Sequence, residues 1–396
     1  MSTELNNSNQ RLILFFDGTW MDVMNETNVY LLAKDVLSQD ASGKRQRFYY
    51  SPGVGTDPIL RIPGGIAGVG LNDNLLKGYE WLCQNYDDGD EIWIFGFSRG
   101  AYTARSLSGM IRKSGLLYIT NPATLKAALM NYRNRFDANA SRGGTATSTK
   151  TGGSTKAGGS TNTQDPATKF RNRFSREVTI DFLGVWDTVG ALGIPGGGWM
   201  NRGLQWHDTQ LSRIVKRAYH AMAIDEHREI FSSTPWLNGG AVPSVPSGDT
   251  GMDSQNDYGR LEDGRIVEQR WFVGSHGDVG GGCEDSSLSK IPLAWMKTQA
   301  IKAGLALRNP PAIPDGAHLE PIYPSFDRFG SGTYRVFRNL PWVGKGRYYR
   351  SVITDRERTQ VLHPCLDPSV LQRWNADETY RPKGLGDIDE HTILPW

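Results

Sequence analysis

The feature that most constrains this chain is a pentapeptide, Gly96-Phe97-Ser98-Arg99-Gly100. It is set directly after the apolar run Glu91-Ile92-Trp93-Ile94-Phe95 and directly before a helical pattern. Gly-x-Ser-x-Gly alone is a weak signal in a chain with 46 glycines, and its context gives it force. A strand-to-helix turn this tight holds its central residue in strained backbone. It needs glycines on both flanks, because neighbouring segments come close, and it lifts the serine hydroxyl above the sheet edge at the positive end of a helix. Here the strand reading ends at Phe95. The helix reading begins at Ala101, places Ala104, Leu107, Met110 and Ile111 on its inner face, and stops at Gly115. The competing reading is a glycine-bounded turn with an incidental serine, which the strand-turn-helix order disfavours.

The flanking sequence supplies the rest of a layered fold. Residues 11–16, RLILFF, read as a buried strand stopped by Asp17-Gly18-Thr19. Asn72-Asp73-Asn74 cap a helix whose Leu75, Leu76, Tyr79, Leu82 and Cys83 recur at helical spacing. Val178–Trp186 and Trp271–Ser275 read as further strands, and Leu204–Glu229 and Ile291–Leu305 as helices. This alternation predicts an α/β-hydrolase-like fold with a mostly parallel central sheet, helices on both faces and inserted loops. A single catalytic domain is expected over 11–396, behind a disordered stretch at 1–10. α/β folds often reach this size as one unit.

From 138 to 166 the chain turns to Gly, Ser and Thr with almost no apolar side chains, and is expected to be a flexible insertion. Between 131 and 176, nine Lys or Arg face only Asp137 and Asp165. A solvated basic loop and attraction to anionic lipid head groups both fit. The overall charge of +2 forces no partner, and nucleic acid is not expected. Three distant cysteines, Cys83, Cys283 and Cys365, form no metal or disulfide pattern and fit a reducing compartment. No cofactor and no metal are expected. The first ten residues lack a signal-peptide pattern, so the chain is expected to be cytoplasmic when made. The uncharged run from Ile62 to Leu71 is about half the length of a spanning helix.

A serine hydroxyl needs a base, and the base an orienting acid. In this fold both follow in chain order from loops after strands. Asp187 ends the strand VTIDFLGVW and opens the loop Thr188-Val189-Gly190. Asp181 lies within that run and is the weaker choice. Of the seven histidines, His276 follows WFVGS and precedes the glycine-rich Gly277-Asp278-Val279-Gly280-Gly281-Gly282, so it can reach the nucleophile with little obstruction. His363, ahead of Pro364, is the main competitor. The Arg99 backbone N–H and one from the Asp17-Gly18-Thr19 loop are the candidate oxyanion donors. Asp17, Gly96, Gly100 and Asp278 are supporting candidates. FFDGTW is also similar to the nucleophile motif of haloacid-dehalogenase phosphatases, but that motif needs an aspartate where this chain has Phe15.

Taken together, FFDGTW with Thr27-Asn28, PGVGT at 52–56, FGFSRGAYTAR at 95–105, GVWDTVGALG at 184–193 and WFVGSHGDVGGG at 271–282 resemble the DUF2235 hydrolases. That family includes phospholipase effectors of bacterial type VI secretion. The resemblance implies a Ser98, Asp187, His276 triad and lipase or A-type phospholipase activity. It also implies delivery into the periplasm of a competing cell, with secretion-apparatus and immunity proteins as partners. A phospholipid or other lipid ester would be the substrate and the membrane surface a contact, with the Trp- and Gly-rich loop at 194–200 as one route to it. Two other readings remain: an esterase for non-phospholipid esters, and a catalytically silent module that binds lipid or a partner.

Overall fold

Arg11 through Phe16 form strand β1 (Arg11–Phe16), and all six residues are buried. A strand of this kind is satisfied only when both of its faces are covered. In this computed structural model, which describes residues 9–18, 26–53, 67–133, 166–190, 210–237, 259–283, 287–329, 332–340, 346–352 and 361–385, both faces are. Ile13 and Phe15 enter one apolar layer, and Leu12, Leu14 and Phe16 the other. Nearly all of the 138–166 stretch, residues 1–8, Thr19-Trp20 and the 194–200 loop lie outside the described residues.

Chain order then builds the sheet. Helix α1 (Asn28–Asp35) is followed by β2 (Gln46–Ser51), α2 (Ala67–Asn85), β3 (Glu91–Phe97) and α3 (Arg99–Ser114). A short pair, β4 (Leu116–Leu117) and β5 (Ser175–Arg176), is antiparallel and brackets α4 (Pro122–Arg133) and α5 (Pro166–Phe174). Next come β6 (Phe182–Trp186), β7 (Arg217–Ala223), β8 (Ile266–Phe272), α6 (His276–Gly280) and α7 (Lys290–Lys302). The chain continues through α8 (Ser325–Arg328), α9 (Thr333–Arg338), β9 (Pro364–Leu366) and α10 (Pro368–Ala376). Seven strands pair in the order β2-β1-β3-β6-β7-β8-β9, and every pairing is parallel. This is the α/β-hydrolase-like arrangement, with helices on both faces. Residues of α1 and α7 pack into the layer of Ile13 and Phe15, and residues of α2, α3 and α4 into the opposite layer.

An aromatic row ties the first layer together across four strands. Phe15 lies 5.2 Å from Phe95, Phe95 5.3 Å from Phe182, and Phe182 5.1 Å from Tyr219. Same-face aromatic neighbours on adjacent strands fix register, because a one-residue slip would turn each ring into the wrong layer.

Several element readings shift. The stretch 210–229, expected to be helical as part of Leu204–Glu229, contains strand β7; residues 204–209 lie outside the described residues. Its RAYHAMA sequence carries good helix formers, but it sits between β6 and β8 with six of seven residues buried, and tertiary packing overrides propensity there. Strand β8 begins at Ile266 and ends at Phe272, so Val273–Ser275 form the turn after it. The early part of β8 is disguised by Glu268, Gln269 and Arg270. Strand β6 is confined to Phe182–Trp186, which leaves Asp181 at the opposite end of the sheet. There Asp181 accepts the Ile92 N–H at 3.0 Å and pairs with Lys216 at 2.7 Å.

Gly100 shows how closely β1 and the turn after β3 approach. A Cβ at that position would lie 2.1 Å from the Phe16 carbonyl oxygen and 2.5 Å from that of Asp17. Backbone cannot move aside as a side chain can. Gly100→Ala is therefore expected to cost about 3 kcal/mol or more of stability, seen as a lowered thermal midpoint, whereas Gly43→Ala, with nothing within 4 Å but a positive φ, should cost less.

Candidate active site

The C-terminal edge of a parallel sheet gathers the loops that follow each strand, and here three of those loops converge. Ser98 follows β3 directly, with φ 58° and ψ −122°, a strained conformation for a residue with a side chain. Its N–H donates to the Trp186 carbonyl at 3.0 Å, which anchors the turn to β6. A Cβ on Gly96 would meet the Gly100 carbonyl oxygen at 2.6 Å, so the turn closes only with glycine there. Asp187 follows β6, also at positive φ (36°), and its N–H donates to the Ala221 carbonyl at 2.7 Å. His276 opens α6, just past β8.

These side chains meet. The Ser98 hydroxyl donates to His276 Nε2 at 2.8 Å, and His276 Nδ1–H donates to Asp187 Oδ2 at 2.6 Å. The carboxylate on one nitrogen sets the tautomer, leaving Nε2 to accept. The imidazole lies between two rings, Phe97 at 4.7 Å and Phe231 at 4.9 Å. Gly280 gives Phe97 its space, since a Cβ there would fall 1.9 Å from the ring. Asp278 fixes the helix that carries the histidine: its Oδ2 accepts the Ser275 N–H and hydroxyl, each at 2.9 Å, and the Tyr323 N–H at 3.0 Å.

Other histidines fall elsewhere. His363 precedes β9 and lies level with Glu268, far down the sheet from the convergence. His220 is a satisfied core histidine: Nε2 accepts the Thr188 N–H at 3.1 Å, and burial pushes its pKa down to about 3. His227 hydrogen-bonds through Nδ1 to the Tyr348 carbonyl at 3.0 Å.

The loop after β1 does reach Ser98, since a Cβ on Gly18 would lie 3.4 Å from Ser98 Cβ. The Gly18 N–H, however, is directed at Asp17 Oδ1, 2.6 Å away. Asp17 also accepts the hydroxyls of Thr27 and Tyr50, both at 2.6 Å, and burial outweighs these bonds to raise its pKa. An oxyanion at this position would have to share the Gly18 donor with that carboxyl. The Arg99 N–H is one of the open donors at the start of α3. The Arg99 side chain makes no ion pair among the described residues, and burial pushes its guanidinium down to about 10. No group of three or more His, Cys, Asp or Glu among the described residues could hold a metal ion.

The largest surprise is Arg350, only 2% exposed. Its guanidinium donates to both oxygens of Asp187, at 2.6 and 2.9 Å, and to the carbonyls of Ala223 (2.7 Å) and Phe231. Asp187 Oδ1 also accepts the Ala223 N–H at 3.0 Å. Burial alone would raise the Asp187 pKa, but Arg350 and His276 outweigh it and hold the carboxyl well below the usual range. A second buried pair stands behind the histidine. Glu226 accepts two guanidinium N–H bonds from Arg228, at 2.8 and 2.7 Å, and the His276 backbone N–H at 3.2 Å. The Arg350–Asp187 pair does not announce itself in sequence, since Arg350 lies 163 residues from Asp187 and belongs to no motif.

Residues 10–299 match the model of the type VI secretion phospholipase effector, Tle1-like, catalytic domain. The chain belongs to that family. It is also 28% identical over 242 residues to the uncharacterized protein YEL023C of Saccharomyces cerevisiae, covering 57% of this chain and 32% of that protein. An uncharacterized protein from Pseudomonas aeruginosa aligns in structure with TM-score 0.36 and 17% identity, over 76% of this chain and 46% of its own. The Tle1 effector bound to the VgrG spike aligns with TM-score 0.35 and 16% identity, over 69% and 51%. The chain thus spans about a third of the yeast relative and about half of each solved chain. Arg350 lies beyond the segment that the family model matches.

Burial keeps the His276 pKa below the ordinary imidazole value, so the neutral base persists to lower pH than a free histidine would. A rate that needs neutral His276 should fall only as pH drops below about 6.5. In Arg350→Met the Asp187 charge loses its cation. An unpaired carboxylate raises the imidazole pKa, and Asp187 itself becomes easier to protonate. Both effects push the acid limb of kcat/KM to higher pH, with kcat lower throughout. Arg350→Lys, which keeps charge but cannot bridge both oxygens, should fall between. An acid limb unmoved in Arg350→Met would show that the pair does not act on the Ser98–His276–Asp187 path.

Proposed function

We propose that this chain is a serine hydrolase that cleaves the acyl ester bonds of phospholipids. The observation that carries the reading is the unbroken hydrogen-bonded path from Ser98 Oγ through His276 to Asp187. In the acylation step Ser98 Oγ bonds to the ester carbonyl carbon while His276 Nε2 takes its proton. Asp187 orients the imidazole and stabilises the imidazolium. As the tetrahedral centre collapses, the carbon–oxygen bond to the lysolipid breaks, and His276 returns the proton to the departing oxygen. Water then attacks the acyl enzyme by the same route and releases fatty acid. The Arg99 N–H, with Gly18 when its bond to Asp17 is shared, stabilises the oxyanion.

Phospholipid, as against neutral ester, is supported by the family and by Arg99. A largely desolvated guanidinium one residue from the nucleophile, with no ion pair among the described residues, suits a substrate that brings its own phosphate. Family membership further supports an antibacterial role: delivery by a type VI apparatus into the periplasm of a target cell, where an immunity protein would oppose it. No helix among the described residues is long and apolar enough to cross a membrane.

Fatty acid release from mixed phospholipid vesicles, measured beside hydrolysis of a soluble short-chain ester, tests the reading. Ser98→Ala and His276→Ala should each lose about a thousandfold or more on both substrates. Turnover of the soluble ester alone would keep the triad and remove phospholipid as substrate. Absence of labelling by an active-site serine probe in the wild type would favour a silent binding module.

A further inference from the structure

Strand pairing between β7 and β8 ends at Ala223 and Phe272. Beyond it, two consecutive side chains past β7 keep hold of the segment past β8. Asp225 Oδ2 accepts the Gly274 N–H at 2.8 Å, and Glu226 Oε2 accepts the His276 N–H at 3.2 Å. The turn that carries the histidine is thus hung on two carboxylates.

Glu226 is fully buried, where a carboxylate persists only when paired. Its partner is Arg228, whose guanidinium meets both oxygens at 2.8 and 2.7 Å and whose backbone N–H adds a third bond at 2.8 Å. The Ser325 hydroxyl of α8 donates to it at 3.2 Å. Burial alone would push this carboxyl up, but Arg228 outweighs it and holds the value at about 2. Glu226 is therefore charged at every pH where an imidazole titrates.

Arg228 also reaches the other side of the histidine. Its guanidinium lies 3.8 Å over the Phe231 ring, and Phe231 packs against His276 at 4.9 Å. One ion pair grips the main chain of His276 with its carboxylate and the ring that covers the imidazole with its guanidinium. Apolar groups of the same volume can often replace a buried pair at little cost, but they could not accept the His276 N–H.

We infer that Glu226, held by Arg228, is a positioning residue for His276 in the proposed hydrolysis: it fixes the main chain of the histidine while its partner fixes the Phe231 cover. The inference rests on that reading, in which His276 is the base.

The charges give the test its sign. Burial lowers the His276 pKa most; the Asp187 and Glu226 carboxylates raise it, and Arg228 lowers it further. The other charged groups around the turn are Arg350, bound to Asp187; Asp278, bound to Ser275 and Tyr323; and Asp225, which burial pushes up to about 6. All three stay unaltered in every variant tested, so they do not produce opposite displacements.

Hydrolysis of a soluble short-chain ester is followed against pH. Glu226→Gln keeps an oxygen for the His276 N–H but leaves Arg228 uncompensated. The acid limb of kcat/KM should move to lower pH, with kcat down about tenfold and KM little changed. Arg228→Met leaves the carboxylate uncompensated, and the limb should move to higher pH. The double variant E226Q/R228M, neutral at both positions, should bring the limb back toward the wild-type position while kcat stays low. Arg228→Lys, which keeps the charge without the flat contact on Phe231, should keep the limb and lose rate. Circular dichroism and the thermal midpoint show which variants fold. Where Glu226→Gln does not, the comparison of Arg228→Met with Arg228→Lys carries the test. With wild type active, limbs that stay in place in the folded variants, or move the same way in both single variants, would overturn the inference and leave the proposed hydrolysis standing. A wild type that neither turns over ester nor takes a serine probe would overturn both.

Discussion

The Asp187 carboxylate is the point on which the site depends. A fully buried charge is tolerated only when it is paired and hydrogen-bonded. Asp187 is met on one oxygen by His276 and on both by Arg350, with the Ala223 N–H completing the set. Those partners come from the loop after β8, from the end of β7 and from the C-terminal region. One charge therefore fixes three separately folded segments. Removing any partner leaves the remainder both misaligned and electrically unbalanced.

A parallel sheet makes this convergence geometrically natural. Strands β1, β3, β6, β7 and β8 all end at the same edge, so Asp17, Ser98, Asp187, Ala223 and the Val273–Ser275 turn arrive side by side. The close fits at that edge are then set by what can be left out. Gly100 lets the nucleophile turn rest on β1, and Gly280 lets Phe97 lie under the imidazole. Strain at Ser98 and Asp187 persists because the backbone on either side is pinned by strand hydrogen bonds, Ser98 to Trp186 and Asp187 to Ala221.

What the sequence reveals follows from how far each signal acts along the chain. Strands β1 and β3 are apolar on both faces and stand out, and the turn at Ser98 lies between two readable elements. Asp187 follows a buried strand directly and His276 stands in the glycine-rich turn after another, so chain order and glycine context point to both. Strand β7 is hidden because alanine and histidine in a fully buried strand carry no period that separates it from a helix. β8 is hidden because Glu268 and Gln269 are buried with partners that only the fold supplies, among them the Leu362 carbonyl for the Gln269 amide. The direction of the Gly18 N–H depends on a side-chain bond within one turn, which residue types alone do not decide.

Arg350 and the α8–α9 layer share a deeper reason for being unreadable. Neither completes a local pattern, because each answers a need created elsewhere: a buried carboxylate in one case, an aromatic shield for the histidine in the other. Phe231 joins the two, since its carbonyl accepts an Arg350 N–H while its ring covers His276 and meets Phe329. The segment past residue 299 is therefore joined to the Ser98–His276–Asp187 path by charge on the Asp187 side and by aromatic packing on the His276 side. Built this way, the edge of the sheet couples the ionisation of the Asp187–His276 pair to the packing of the α8–α9 layer.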